Sequence, residues 1–425
     1  MAMLPPPTLI ITNIGQLVTA ADDIHRHPLA QGQLATLADA TIAARDGVVI
    51  FVGTAMEYAN APFAIDASHP PRIIDAHHQL VTPGLIDAHT HLIYAGDRAH
   101  EFQQRHAGID YATIQAQGGG IATTMRATRA ADSETLLQLA QQRLRSMGRH
   151  GTTTVEAKSG YGLNDITEAK LLDVAEKIRD VPGLPRVIST FLGAHMVPPE
   201  WQDRRSAYVE LLVNDWLPRF RPQATFCDVF CEDHAFTVAE TATILTRARQ
   251  LGYRLKLHAN QLGNSGGAVL AARYHAVSAD HLDYATDDQL DKLAAANVVA
   301  VLLPGCSLTL NTPYPDARRF YAHGVRVALA TDFNPGTCYC ENLQMIVTLA
   351  VAHMGMTIEN ALLAVTRIAA AALDRNDIGS IVFGQRCDLA FWKISRYDQI
   401  AYHFGVNLVE YTIRDGNDSM DIIEE

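Results

Sequence analysis

The sequence predicts an α/β protein: a (β/α)8 TIM barrel with a small composite β-sandwich domain drawn from both chain termini. Three observations point there. The middle of the chain alternates short apolar, strand-like runs with amphipathic helical segments until eight strands are counted, the number a (β/α)8 barrel requires. Several of those runs are apolar nearly throughout, as parallel strands buried on both faces are. Both ends of the chain read instead as short β segments separated by turn pairs.

At the N-terminal end, Leu9 to Val18 is a strand-like run, and Thr41 to Val52 holds Arg45-Asp46-Gly47 between apolar stretches, a hairpin signal. The first barrel strand is read over Leu85–His91. Ser133 is read as the cap of a helix in which Leu136, Leu137, Ala140, Leu144 and Met147 recur at helical spacing, with Gly148 and Gly151 near its end. The β-branched run Thr152–Lys158 is the second strand. Helical Thr167–Ile178 then leads to Arg186–His195, and Tyr208–Leu217 leads to Thr225–Glu232. Val238–Leu251 leads to Arg254–His258, Ala268–Tyr274 to Ala276–His281, and Asp287–Ala296 to Val298–Pro304. Asp316–His323 leads to Val325–Asp332, and Ile358–Leu373 closes the series. Ile381-Val382-Phe383, Asp388 to Ile394 and Val409 to Ile413 are short apolar runs, with Asp415-Gly416 as a further turn pair. The division expected is residues 1–80 plus 375–425 for the composite β domain and 81–374 for the barrel. An open doubly wound sheet is the runner-up, but no Gly-x-Gly-x-x-Gly opens a helix; Gly118-Gly119-Gly120 lies in a loop.

A chain of 425 residues with 48% hydrophobic and 19% charged content has room for a large core. Its formal net charge of −12, without a Lys/Arg-rich tract, argues against a nucleic-acid or anionic-membrane partner. An anionic substrate would have to be captured by one or two placed cations. The six cysteines include no Cys-x-x-Cys pair, so reduced and mostly buried thiols are expected. The first residues, Met1-Ala2-Met3-Leu4, carry no basic segment, and the apolar run after them is broken by Thr12 and Asn13. Neither a signal peptide nor a membrane span is expected, which makes a cytoplasmic enzyme the default.

The chemistry lies at the strand ends. In Asp87-Ala88-His89-Thr90-His91 the two histidines share one side of an extended backbone and suit a divalent transition metal. A lone His-x-His is more often a pair of ordinary loop residues. The remaining ends, however, are Lys158, His195, Glu232, His258, His281, Pro304 and Asp332, ionisable in nearly every unit. Barrel enzymes gather such ends at one mouth. His89, His91, His258 and Asp332 supply three imidazole nitrogens and one carboxylate, a catalytic metal set. Such a metal lowers the pKa of a bound water from about 16 toward 7. His281, one strand on, would lie beside that water as a proton acceptor or shuttle.

This pattern resembles the amidohydrolase superfamily of metal-dependent barrels. Longer strings are similar to its imidazolonepropionase family, which acts in histidine degradation. They are His91-Leu-Ile-Tyr-Ala-Gly-Asp-Arg98, Gly118-Gly-Gly-Ile121, Glu156-Ala-Lys-Ser-Gly-Tyr-Gly-Leu163, Phe191-Leu-Gly-Ala-His195, Leu257-His-Ala-Asn-Gln-Leu262, Ala330-Thr-Asp-Phe-Asn-Pro-Gly336 and Phe404-Gly-Val-Asn-Leu-Val409. The likeness runs nearly the whole chain. It implies hydrolysis of the ring amide of 4-imidazolone-5-propanoate to N-formimidoyl-L-glutamate, with proton transfer relayed by His281 or Asp332. Arg98 offers the planar fork a propionate carboxylate needs, against a bland pairing with Asp97 or Glu101. The family's other substrate contacts fall on Tyr161, His195, Gln261, Asn334, Gly336 and Thr337, with Gly336 expected to present backbone N–H groups to the ligand. Lys158 is left between a substrate contact and a pair with Glu156, and Glu232 is a weak candidate.

Two departures refine the expectation. Gln261 stands where deaminases of the superfamily carry a catalytic glutamate, and an amide cannot take a proton, which counts against a deaminase. Pro304-Gly-Cys-Ser-Leu-Thr-Leu310 differs from the family string. No lysine ends the fourth strand, so one metal ion per chain, Zn2+ or Fe2+/Fe3+, is expected rather than two. The resemblance also implies a homodimer. Another cyclic amidohydrolase, an aromatic deaminase and a non-catalytic barrel scaffold are the alternatives.

Overall fold

The computed structural model of the chain describes residues 3–21, 34–109, 113 and 118–418. Eight parallel strands form the barrel sheet in chain order: β1 (Leu85–Asp87), β2 (Thr152–Lys158), β3 (Arg186–Ala194), β4 (Phe226–Cys231), β5 (Arg254–Ala259), β6 (Ser278–His281), β7 (Val299–Leu302) and β8 (Val327–Leu329). Between β1 and β8 a parallel bridge joins Thr90 to Phe333. The Asp332 N–H donates to the His89 carbonyl and the His91 N–H to the Phe333 carbonyl. That seam sets the His-x-His segment directly against Asp332. In the β5–β6 register His258 lies opposite Asp280, and Ala259 opposite His281.

The terminal segments build a second sheet of eight strands. Its order is Asn417–Asp418, Val409–Arg414, Leu389–Trp392, Leu80–Pro83, Leu9–Val18, Thr36–Arg45 and Val48–Thr54, with Arg72–Asp75 also pairing Leu9–Val18. Leu9, Ile11, Val81, Leu389, Phe391 and Ile413 form its buried side. The Asp46-Gly47 turn has both residues at positive φ (51° and 80°), the mirror-image turn whose twist suits a hairpin. Arg186 of β3 ties the two sheets together, donating to Asp388 (2.8 Å) and to both oxygens of Asp415 (2.9 Å each).

Several expected boundaries move. The helix cap is Asp132, whose carboxylate accepts the Thr135 N–H, and Ser133 is already helical. Its expected stripe is inward: Leu136, Ala140, Leu144 and Met147 are buried. Pro304 does not end a strand; it opens the helix Pro304–Leu310, where its missing N–H costs nothing. The segment Tyr208–Leu217 belongs to a longer helical run from Arg205 to Phe220 containing a π turn at Leu212–Trp216. Ile358–Leu373 is two helices, Ile358–Ala364 and Arg367–Ala372, parted at Thr366, whose hydroxyl donates to the Leu362 carbonyl. Ile381-Val382-Phe383 is not a strand; Phe383 is exposed and the chain turns at Gly384.

Candidate metal centre and substrate pocket

The strand ends converge as the barrel requires. His258 Nε2 lies 3.4 Å from His91 Nε2. Asp332 Oδ1 lies 3.3 Å from His89 Nε2 and 3.6 Å from His91 Nε2. One nitrogen each from His89, His91 and His258 falls within 4.8 Å of the others, as do donor atoms of His89, His281 and Asp332. All five side chains are buried. His89 Nε2 is buried and makes no hydrogen bond. A buried imidazole nitrogen that faces a carboxylate and makes no hydrogen bond is satisfied by a cation placed between them. The donor set therefore fits a divalent metal such as zinc.

Burial is the dominant electrostatic effect here. It pushes His89, His91 and His281 well below the ordinary imidazole range, and His195 down to about 3. The Lys158 ammonium adds to the shifts of His89, His91 and His281, and the Arg98 guanidinium to that of His195. These rings are thus neutral at neutral pH, the form a metal ligand or proton acceptor needs. Burial raises the Asp332 carboxyl to about 6, against the thiol of Cys306, which donates to its Oδ2 at 2.7 Å. His281 (φ 76°) and Asp332 (φ 51°) both occupy the left-handed region, which costs of order 1–3 kcal/mol and aims strand-end side chains out of register.

Next to the cluster, the His195 ring stacks on His91 with centroids 5.1 Å apart and planes at 19°, and its Nδ1 lies 3.0 Å from the Gly160 carbonyl. Tyr161 packs on both rings, at 5.6 Å from His91 and 5.3 Å from His195. His281 faces His258 and His89 at 5.3 and 5.6 Å. A cavity of about 410 Å³ is lined by Asp97, Arg98, Phe102 and residues 335–339 among others, the loop that follows Asp332. Thr337 lines the cavity, its hydroxyl lies 3.5 Å from Cys306 Sγ, and Cys306 in turn meets Asp332, so two side chains stand between the cavity and the carboxylate.

Arg98 uses only its Nε for Glu101 (2.7 Å), so the ion pair and a cavity-lining role coexist. The Gly336 amide does not face a ligand as expected. Asn334 Oδ1 accepts the N–H groups of Gly336 (2.8 Å) and Thr337 (2.7 Å), closing the loop on itself. What Gly336 provides is space: a Cβ there would overlap Arg98 Nη1 and lie 2.7 Å from its Cζ. Gln261 follows Asn260 (φ 53°), and Glu232 Oε1 accepts the backbone N–H groups of Gln261 (2.6 Å) and Leu262 (3.1 Å). Glu232 therefore shapes the turn that carries Gln261.

Two carboxylates were missed in the sequence, Asp228 and Asp280. Asp280 Oδ2 lies 2.6 Å from His89 Nδ1, and Asp228 Oδ2 2.9 Å from His258 Nδ1. Each sits within a strand that is buried along nearly all its length, between residues of a barrel-strand run. Lys158 is bonded to both, and to Glu156.

A parallel barrel whose strand ends present three imidazoles and an aspartate defines a metal-dependent hydrolase of the amidohydrolase class. The amidohydrolase family model matches residues 80–417, and the chain belongs to that family. Among its curated relatives are imidazolonepropionases. That of Caldanaerobacter subterraneus is 43% identical, covering 96% of this chain and 97% of its own. That of Geobacillus thermodenitrificans is 44% identical, covering 96% and 97%. The solved guanine deaminase of E. coli superposes with a TM-score of 0.73 over 96% of this chain and 98% of its own. At 15% identity that likeness shows the fold alone.

Proposed function

We propose that the chain is an imidazolonepropionase, hydrolysing the ring amide of 4-imidazolone-5-propanoate to N-formimidoyl-L-glutamate. The observation that carries this is a metal-type cluster of three imidazoles and Asp332, joined through Cys306 and Thr337 to the wall of a cavity lined by Arg98. His89, His91, His258 and Asp332 would hold one divalent ion, zinc or iron. When bound, the ion supplies Lewis acidity toward the ring carbonyl and makes a coordinated water acidic near neutral pH.

The residues do the rest. Arg98 pairs with the propionate through the guanidinium edge that Glu101 leaves unused. Tyr161 and His195 pack against the ring on the His91 side, and Gln261 hydrogen-bonds it. The loop Asn334–Thr337 closes the pocket wall beside Arg98. In the reaction the oxygen of water joins the ring carbonyl carbon, the ring C–N bond breaks, and the departing nitrogen takes a proton. His281, neutral and within 4.8 Å of Asp332 and His89, accepts the proton from the attacking water. His281 and Asp332 then return it to the nitrogen.

A deaminase is disfavoured because Gln261 cannot accept a proton where that chemistry needs a carboxylate. The working form is a homodimer in the cytoplasm with a small-molecule substrate; the acidic net charge of −12 argues against nucleic acid. Among the described residues no helix is long and apolar enough to cross a membrane. The test is a substrate panel with metal-loaded protein, followed by mass spectrometry. Consumption of the imidazolone with appearance of N-formimidoyl-L-glutamate is expected, with guanine, cytosine and hydantoin unchanged. Turnover of one of those three and none of the imidazolone would overturn the assignment.

A further inference from the structure

The one fully buried ammonium at the end of β2 reaches across the barrel to two carboxylates at once. Lys158 Nζ lies 2.7 Å from Asp228 Oδ2 of β4 and 3.4 Å from Asp280 Oδ2 of β6, besides 3.0 Å from Glu156 on its own strand. The side chains of all four have no exposure to solvent. The two aspartate oxygens that receive the ammonium are the same two that face His258 Nδ1 (2.9 Å) and His89 Nδ1 (2.6 Å). Each opposite oxygen is held too: Asp228 Oδ1 accepts the His258 N–H at 3.2 Å, and Asp280 Oδ1 accepts the Ser278 hydroxyl at 2.6 Å. Glu156 is shared with a second lysine, Lys256, at 3.1 Å, and with the Thr190 hydroxyl. Lys256 also reaches to 4.0 Å from Asp280 Oδ2, but of the two lysines only Lys158 touches both aspartates.

By composition, His89, Glu156 and Asp280 could hold a cation of their own. The cations in place there are the two ammonium groups, Lys158 and Lys256. Lys158 is buried with carboxylates on three sides, so it is out of reach of substrate.

We propose that Lys158 is a positioning residue of the metal centre: it pins Asp228 and Asp280 against the Nδ1 atoms of His258 and His89. The His89 imidazole is thereby fixed as the tautomer protonated at Nδ1, with Nε2 turned to the cluster, while Asp228 stands at ion-pair distance from His258 Nδ1. The inference rests on the metal assignment of His89, His91, His258 and Asp332. The physical basis is that a buried carboxylate can orient an imidazole only while its own charge is matched. Remove the ammonium, and two fully buried aspartates face each other with only Lys256, 4.0 Å from Asp280, to offset their charge. Groups that orient a ligand histidine in this way are worth about 10–100-fold in metal affinity.

The test uses Lys158→Met, which keeps the stem and removes the charge. The Zn2+ dissociation constant is read by competition with a chromophoric chelator, and the ligand field by the visible spectrum of the Co2+-loaded protein. Folding is checked by circular dichroism and by melting of the metal-free protein. A folded K158M that binds Zn2+ about 10–100-fold more weakly, with an altered Co2+ spectrum, is the expected result. Asp228→Asn and Asp280→Asn should move affinity in the same direction, and K158M on top of D280N should cost less than K158M alone, since the two act through one contact. Native affinity and a native Co2+ spectrum in folded K158M overturn the inference. If K158M does not fold, native affinity in both asparagine variants overturns it, and weakened affinity in both supports it. Wild-type protein that binds no Zn2+ would instead overturn the underlying metal assignment, a separate and visible outcome.

Discussion

Gly336→Ala tests the pocket wall with a single methyl group. The new Cβ would overlap Arg98 Nη1 and stand 2.7 Å from Cζ. Ordinary contact begins near 3.4 Å, so the guanidinium must retreat by about 1.4 Å at Nη1. The obstacle is the far end of a flexible side chain, so Arg98 yields rather than the loop, whose backbone Asn334 holds from within. The fold is therefore expected to survive, with Tm within ~3 °C of wild type; a loss of 1 kcal/mol moves a domain of comparable size by roughly 2–4 °C. The displaced fork no longer meets the propionate squarely. A charge-assisted pair is worth about 1.5–3 kcal/mol, which corresponds to roughly 10–150-fold in binding. Steady-state hydrolysis of 4-imidazolone-5-propanoate, followed by loss of the substrate's ultraviolet absorbance, should show KM raised by about that factor, and kcat changed less. Imidazole-4-propionate should lose potency as an inhibitor, while imidazole, which lacks the carboxylate, should not. Native KM in G336A would refute the role given to Arg98.

Three further outcomes are expected. His281→Asn should retain wild-type metal content, measured by plasma emission, and lose about 10²–10⁴ in kcat, the usual contribution of a positioned proton-transfer group. Gln261→Ala should raise KM by roughly 2–10-fold, the worth of one neutral hydrogen bond, and leave metal content unchanged. At the junction of the sheets, burial opposes ionisation of Asp415, yet Arg186 and Arg386 hold its carboxyl below the ordinary aspartate range. A lowered folded pKa stabilises the fold above the unfolded value near 3.8, and that stability is lost as pH falls through the folded pKa. Asp415→Asn should thus lower Tm at pH 7, and the gap to wild type should close toward pH 3.

The barrel and the cluster at its strand ends were legible because each rests on local pattern. Buried parallel strands are written as apolar runs, and His89, His91, His258 and Asp332 each fall where such a run stops. The groups behind them were not legible. Asp228 and Asp280 occupy ordinary positions within strands, and only the through-space register shows Asp280 beside His258 and backing His89. For the same reason Lys158 could not be divided between Glu156 and substrate until β4 and β6 were beside it. Gly336 misled because a glycine in a turn suggests an offered amide, whereas the side chain of Asn334, two residues earlier, takes that amide first. Thr366 broke a periodic helical pattern through a hydroxyl–backbone bond that periodicity does not register. The left-handed backbone of His281 and Asp332 carries no glycine to announce it.

The central claim is hydrolysis of the ring amide at a single site built from His89, His91, His258 and Asp332. It is tested most directly by adding Zn2+ or Fe2+ in steps to metal-stripped protein and measuring formation of N-formimidoyl-L-glutamate at each step. Product formation should rise linearly and break at one equivalent per chain, and His258→Ala should abolish the rise. Activity that persists in the stripped protein, or a break at two equivalents, would contradict it.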